Sequence, residues 1–546
     1  MKINELKNSA FAALQKTDQL NATFTNRFAS CVAMLLVAGS FLVGSDSASA
    51  EKPQSPAANA ETPAGKPNIL FILADDASHF GATGCSWVKT PNIDQLARQG
   101  LIFGNAYTTD AKCSPSRAAI LTGRYPWQLE SAADHDGYFP PNYEVFTEAM
   151  VKAGMTVGAE GKFWAPGIAR TAGGAPRKWG MDHQSYPIGI SVTATDASQF
   201  YFPTFLRERD RSKPFVYWFG SHYPHRPYAI NQGQRAGLKQ DSIDRVPPIW
   251  PDDPVVRNDM LNYALAVDNF DKQVGGLIAT LKASGEFDNT LVIVTSDNGM
   301  PFPRSKGNSY YISTHLPFIA CWPDGIRDPG RTVSELVSFV DIAPTFLDLL
   351  GIAQNTTGMA PITGHSFSDL LFNKPRLLRD FVIVGRERND WGRPNLEGYP
   401  VRGIVKDNHM LILNLKPDRW PACNPEANYP DADDGPTKSL IANGRDNPAL
   451  HHFWELCFGM RPELELYDIQ ADPDCIKNLA GNPEFRDRCD AMKKLLMEQL
   501  TAQADPRVTG NGDVFDKYPP AMAGWIGKFE RLSGKKSASK EDPAEN

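Results

Sequence analysis

Apolar residues fall into two kinds of run along this chain. Three runs are continuous: 68–74 (NILFILA), 214–220 (PFVYWFG) and 291–295 (LVIVT). An uninterrupted apolar run of that length is what a strand buried on both faces requires. The shorter 156–159 is a further strand candidate. The second kind is spaced by threes and fours: Leu261, Leu265, Val274, Leu277, Ile278 and Leu281 predict a helix over 260–283. Helices are also predicted at 93–98, stopped by Gly100, at 146–152, ended by Gly154, and at 341–350. Strand and helix alternate through the first two-thirds. That pattern predicts an α/β class built on a large, mostly parallel mixed sheet sandwiched by helices.

The rhythm changes near Pro375. Short strands at 381–384, 401–405, 409–415 and 464–467 are separated by polar turns and followed by a helix over 485–503. They predict a smaller C-terminal α+β domain with an antiparallel sheet, spanning 376–520 beside a catalytic domain of 67–375. A tail, 521–546, is predicted to be disordered; from Ser533 on it is charged and poor in apolar residues. The start reads as an export signal. Lys2, Lys7, Lys16 and Arg27 precede an apolar run over 31–43, and Ser47-Ala48-Ser49-Ala50 supplies a small-residue cleavage site. The run is short for a transmembrane helix, so 1–50 predicts a signal peptide and a periplasmic or secreted product with no stable membrane insertion after cleavage. Residues 51–66, rich in Pro and Ala, read as a flexible linker.

Composition changes this picture little. A chain of 546 residues with 42% hydrophobic and 22% charged residues is an ordinary soluble multidomain protein. A net charge of −7 argues against nucleic-acid binding, though a local basic pocket for a polyanion is compatible with it. Of the eight cysteines, Cys31 would leave with the signal. Cys85, Cys321, Cys423, Cys457, Cys475 and Cys489 show no zinc spacing, and an exported protein permits disulfides among them.

The chemistry centres on Cys113-Ser114-Pro115-Ser116-Arg117, continued as Ala118-Ala119-Ile120-Leu121-Thr122-Gly123-Arg124. It reads as an exposed cysteine at the start of a helix closed by Gly123, where free N–H groups and the dipole favour an anion. Arg117 lies about one turn on. Two of the buried strands end in acids: Asp75-Asp76, and Asp297-Asn298 after Ser296. Ligands gather at the carboxyl ends of strands in such sheets. Adjacent acids there repel unless a cation lies between them. Three carboxylates and an amide oxygen are hard ligands that suit Ca²⁺ better than Zn²⁺. Capping or turn formation would explain either pair alone.

C-x-P-S-R followed by L-T-G-R resembles the signature of the type I sulfatases, of the alkaline phosphatase superfamily. The resemblance extends over Pro67–Asp76, Lys89–Ala97, Thr295–Gly299 and Leu466–Pro473. Asp297–Pro303 (DNGMPFP) and His222-Tyr223-Pro224-His225-Arg226 look particularly like the heparan N-sulfatase (sulfamidase) subgroup. The resemblance implies that Cys113 is oxidised to formylglycine (3-oxoalanine) by a maturation enzyme, and that the aldehyde hydrate attacks sulfur. It implies Ca²⁺ at Asp75, Asp76, Asp297 and Asn298, with residue 113 beside it, and a sulfated carbohydrate as substrate. It makes Arg117, Lys162 and Lys306 the groups that neutralise sulfate and His225 the general acid. His222 and Arg304, a competitor of Lys306, take supporting roles at the substrate. One departure stands out: Gly161-Lys162-Phe163-Trp164 carries Trp164 where the family has a histidine that contacts the hydrate and helps restore the aldehyde. His135, His222 or His315 would have to substitute, or Trp164 lines the substrate pocket. Arg386, Arg388, Arg393 and Arg402, with Trp391 and Trp420, are candidate sugar and anion contacts, and equally surface or packing residues. The alternatives are a phosphate-ester hydrolase of the same superfamily and a non-catalytic relative that binds sulfated glycans.

Overall fold

β1 (Asn68–Asp75) is buried at every position. Side chains of a strand alternate between faces. Ile69, Phe71 and Leu73 therefore enter one apolar core, and Leu70, Ile72 and Ala74 the other. This is the computed structural model of the chain, and it describes residues 65–181, 192–374 and 379–533. The signal segment 1–50, the linker up to residue 64, the boundary at 375–376 and the tail from 534 lie outside the described residues.

The same two-sidedness recurs along the central sheet, formed by β1 with β2 (Leu101–Phe103), β3 (Thr156–Gly161), β4 (Phe215–Pro224), β5 (Thr290–Ser296), β6 (Phe318–Cys321) and β7 (Arg331–Val333). Their order is β7-β2-β6-β5-β1-β4-β3. All neighbours are parallel except β6, which runs antiparallel to both β2 and β5. Phe71 of β1 faces Trp218 of β4 and Ile293 of β5 in register, so three core side chains meet in one row. The α/β class and the mixed, mostly parallel sheet are as the sequence predicts.

Helices cover both faces. α1 (Pro91–Gln99) packs Ile93 and Leu96 into the second core. α2 (Cys113–Thr122) and α3 (Phe146–Lys152) join the first core, through Ile120, Leu121, Phe146 and Met150. α4 (Pro254–Ala283) seals the second with Met260, Tyr263, Val267, Phe270, Val274 and Leu277. It starts earlier than the apolar spacing predicts because Asp253 caps it, its carboxylate accepting the Val255 N–H, and Pro254 fits the first turn. α5 (Ile342–Leu349) returns to the first core through Ile342 and Phe346.

The C-terminal part builds its own antiparallel sheet, β8 (Val382–Arg386), β9 (Val401–Lys406), β10 (His409–Asn414) and β11 (Leu464–Asp468), in that order. α6 (Arg486–Ala502) lies on one face, packing Met492, Leu496 and Leu500 with Ile404, Leu411 and Leu413.

Two expectations change. Residues 521–533 are not a disordered tail: Trp525 and Phe529 are buried, and α7 (Lys528–Leu532) is formed. The N–H groups of Ala521 and Met522 donate to the Asp136 carbonyl (2.7 Å) and carboxylate (3.0 Å). Two well-spaced aromatics anchor a segment whose average composition suggested none. The permitted disulfides are not seen either, because all seven cysteines among the described residues are free. Among those residues no helix is long and apolar enough to cross a membrane.

Candidate active site

α2 begins at Cys113 and is buried along its whole length. Gly123 ends it in the left-handed region at φ 67°, and a Cβ there would lie 2.7 Å from Ile362. The helix is thus sunk into the first core with its N-terminus at the carboxyl end of β1. No side chain among the described residues caps its first turn, which leaves the helix dipole to favour an anion there. Cys113 is not exposed as its sequence suggests: it is 1% accessible, at the floor of a cavity of about 970 Å³. Burial pushes its thiol up to about 12, so at neutral pH it is not a thiolate nucleophile.

The acids at the strand ends converge on it. The Cys113 thiol lies 3.6 Å from Asp75 Oδ1, and Asp75, Asp76 and Cys113 each offer an atom within 4.8 Å of the others. Asp76 has φ 79°, a left-handed conformation that non-glycine residues seldom keep outside functional sites. That twist lets its N–H donate to Asp297 Oδ1 (3.1 Å) while its Oδ1 accepts from Asn298 Nδ2 (2.7 Å). All four predicted metal residues are buried together.

The expected repulsion is met by side-chain cations. Lys162 Nζ lies 2.8 Å from both oxygens of Asp75. Arg117 donates through Nε to Asp297 (2.8 Å) and reaches Asp75 at 3.6 Å. Lys306 bridges Asp76 (2.8 Å) and Asp433 (2.9 Å). Burial disfavours the charge on Asp75, but Lys162, His225 and Arg117 together hold its carboxyl well below the usual range. Burial raises Asp297 to about 6, helped by the neighbouring Asp75 and Asp76 and opposed by Arg117. The donor set fits a hard divalent cation: three carboxylates, and an Asn298 Oδ1 that is buried with no hydrogen-bond partner among the described residues. Asp75, Asp76, Asp297 and Asn298 could hold it.

His225 follows β4 and lines the cavity, with Nε2 3.8 Å from Asp76 Oδ2. Its Nδ1 donates to the Arg226 carbonyl, which leaves Nε2 as the free nitrogen. His222 sits behind it, ring centroids 5.4 Å apart, with a nitrogen within 4.8 Å of Asp75. Trp164 lines the wall at 4% exposure, packed edge-on to Phe139 at 5.2 Å. Of the three histidines that could substitute at its position, His315 is excluded: it stacks on Tyr311 and bonds the Gly104 carbonyl beside a separate cavity. His135 lines the main cavity. Its Nδ1 donates to the Asn389 carbonyl (2.9 Å), so Nε2 carries the lone pair, and burial lowers its basicity against the pull of Asp390.

The C-terminal arginines are corrected. Arg386 is 2% exposed and spent on the Tyr399, Gly307 and Pro421 carbonyls. Arg388, Arg393 and Arg402 pair with Asp134 (2.9 Å), Asp431 (2.7 Å) and Asp505 (2.6 Å). Arg304 lies 3.9 Å over the Tyr310 ring and donates to the Leu456 and Cys475 carbonyls. None of these arginines lines the cavity. A buried guanidinium with five donors is a cross-link between loops as readily as an anion contact. Trp420 packs on Trp454, whereas Trp391 does line the cavity.

Sequence reasoning missed Lys112, Asp390 and Asp433. Lys112 meets Asp390 at 2.7 Å and Asp433 at 3.9 Å, and Asp390 approaches His135 at 3.4 Å. With Asp76–Lys306–Asp433 they form a chain of alternating charge across the cavity wall. Burial opposes each charge, yet partners hold Asp433 and Asp390 below, and Lys112 and Lys306 above, their ordinary values. The available signal was Lys112 directly before Cys113, and the acidic run Asp431-Ala432-Asp433-Asp434.

Against this geometry stand the known proteins. The Sulfatase family model matches residues 67–352, more than half of the chain. The chain belongs to the sulfatase family. This sulfatase is 27% identical over 482 residues to an ulvan-active sulfatase of Formosa agariphila, covering 83% of this chain and 78% of that one. It is 26% identical over 504 residues to the N-sulphoglucosamine sulphohydrolase of Homo sapiens, covering 82% and 93%. A solved structure described as a complex with its substrate D-glucosamine-2-N,6-O-disulfate matches with a TM-score of 0.58 at 21% identity, covering 81% of this chain and 99% of that one. That likeness shows the fold, which is of the alkaline phosphatase type. The sulfatase is therefore a sulfuric ester hydrolase.

Proposed function

We propose that this sulfatase removes sulfate groups, as O-esters or N-sulfates, from sulfated carbohydrates, with residue 113 oxidised to formylglycine and Ca²⁺ held by Asp75, Asp76, Asp297 and Asn298. The observation that carries the reading is one cavity with Cys113 at its floor, an orphaned Asn298 oxygen beside three carboxylates, and the ammonium groups of Lys162 and Lys306 in its lining. When present, the metal would draw charge from a sulfate oxygen and the hydrated aldehyde would supply an oxygen nucleophile.

The chain's own residues do the rest. Lys162 and Lys306 neutralise sulfate oxygens as charge moves toward the leaving group. Arg117 holds Asp297 in place. His225, protonated at Nε2, gives its proton to the departing oxygen or nitrogen. His135, with a fixed tautomer and an open Nε2, accepts the proton released when sulfate departs; it takes the role that Trp164 leaves vacant. Export to the periplasm or beyond, and maturation by a formylglycine-generating enzyme, belong to the same reading.

The test pairs mass spectrometry of the intact protein with sulfate release. Protein from a host with the maturation activity should carry the aldehyde at 113 and release sulfate from sulfated sugars, including N-sulfoglucosamine, far faster than phosphate from matched esters. Cys113→Ala should release none. Full turnover by Cys113→Ala, or a preference for phosphate, overturns the reading.

A further inference from the structure

Among the described residues six cationic side chains line the cavity, and five are already paired. Lys112 meets Asp390 at 2.7 Å, Lys162 Asp75 at 2.8 Å, Arg226 Asp259 at 2.7 Å, Lys306 Asp76 at 2.8 Å and Lys438 Asp434 at 2.7 Å. The sixth, Lys528, has no carboxylate within ion-pair distance among the described residues. Its ammonium lies instead 3.8 Å from the centroid of the Trp391 ring, which also lines the cavity. An aromatic face attracts a cation but does not neutralise it. The remainder of that ammonium's coordination sphere is left for an anion.

The position is held by packing. Lys528 opens α7, whose Phe529 is buried at 4%, just after the buried Trp525. Glu530 accepts the Asn395 N–H at 3.2 Å, which ties α7 to the segment that carries Trp391. Ala521 and Met522 are bonded to Asp136, and the Asp136 N–H donates to Ser114 Oγ at 3.3 Å, one residue from the floor of the cavity. The spacing between Lys528 and residue 113 is therefore set by a continuous run of contacts. A volume of about 970 Å³ is at the upper end of ligand pockets, so the cavity has room beyond the group being cleaved.

We propose that Lys528, seated on Trp391, forms a second anion subsite that binds a further anionic substituent of the sulfated sugar, either another sulfate or a uronic carboxylate. This rests on the sulfated-carbohydrate reading given above, and it makes the preferred substrate a glycan with at least two negative groups.

Calorimetric titration of the full-length Cys113→Ala protein tests it without turnover. The probes are glucosamine N-sulfate, glucosamine-2-N,6-O-disulfate and an N-sulfated disaccharide carrying one uronic carboxylate. The measured quantity is the ratio of affinity for each doubly charged probe to that for the singly charged one. Lys528→Met should lower that ratio about tenfold, the scale of one charge-assisted hydrogen bond, and Lys528→Arg should retain it. Loss with the disulfate assigns the second group as sulfate; loss with the uronate assigns it as carboxylate. An unchanged ratio in Lys528→Met, or an equal loss in Lys528→Arg, overturns the subsite. Sulfate release by the unsubstituted enzyme is assayed in parallel. Turnover with an unchanged ratio defeats only the subsite; a lowered ratio without turnover keeps the subsite and defeats the hydrolase reading.

Discussion

Lys162 offers the sharpest test of the metal and the sulfate pocket together. It is 6% exposed, and its ammonium sits 2.8 Å from both oxygens of Asp75. Lys162→Met keeps the stem and removes the charge, leaving a buried carboxylate whose nearest remaining cation, Arg117, is 3.6 Å away and shared with Asp297. Stranding one partner of a buried ion pair costs about 3–5 kcal/mol. Arg117 keeps the figure near the lower end, about 3 kcal/mol, or about 3–6 °C of melting temperature in a chain this long. A divalent ion on Asp75 would supply the missing positive charge. The loss should therefore appear in chelator and shrink to less than half in millimolar Ca²⁺. Activity should not recover in parallel. In the proposed function the ammonium also neutralises the sulfate, and removing one preorganised charge-stabilising group should lower kcat/KM by about 10²–10³. The assay is a thermal melt of both proteins with chelator and with Ca²⁺, plus sulfate release with Ca²⁺. An identical melting loss in both conditions refutes Asp75 as a calcium ligand. A kcat/KM within threefold of the parent refutes the contact with sulfate.

His225→Asn should lower kcat on a sugar sulfate by about 10²–10⁴ but lower it much less on an aryl sulfate whose phenolate leaves without a proton; equal losses would remove His225 as the acid. Burial raises Glu160 from 4.5 to about 7 against the Tyr201 N–H bond. A folded value above the unfolded one means stability present below pH about 4.5 and lost as pH rises through 7, about 3 kcal/mol in all. Glu160→Gln should therefore flatten the melting temperature between pH 5 and 8.5, and parallel profiles would contradict the shift. Arg402, fully buried between Asp505 (2.6 Å) and Glu387 (2.7 Å), cross-links β9 to the segment after α6. Arg402→Met should cost about 3–5 kcal/mol in denaturant unfolding, and a loss under 1 kcal/mol would show that the triad is not load-sharing.

The central sheet was legible because each of its long strands is buried on both faces, so the apolar run is continuous and nothing else fits it. β2, β6 and β7 were not read: with three or four residues each, they carry too little pattern and are held by their neighbours' register. The site was legible where chemistry is concentrated in adjacent residues, as in Asp75-Asp76 or Cys113 to Arg117. It was illegible where single residues arrive from distant loops. Asp390 has ordinary surroundings in sequence and Asp433 only a short acidic run, and only the fold brings them to Lys112 and Lys306. The arginines near β8 and β9 went the other way: their type suggested anion binding, but each is buried and engaged by backbone carbonyls or acids of its own surroundings. Residue type alone does not distinguish a cross-link from a contact.

The alternating wall from Asp76 through Lys306, Asp433, Lys112 and Asp390 to His135 draws on both halves of the chain. A protein cut near residue 375 would keep the cysteine motif and both acidic strand ends and still lose Asp390 and Asp433. Lys112 would then lose both of its acidic partners and Lys306 one of its two, keeping Asp76. The C-terminal segment is thus not an accessory to a self-sufficient catalytic unit. It supplies counter-charges beside which the buried lysines of the first half stand close together in the cavity wall.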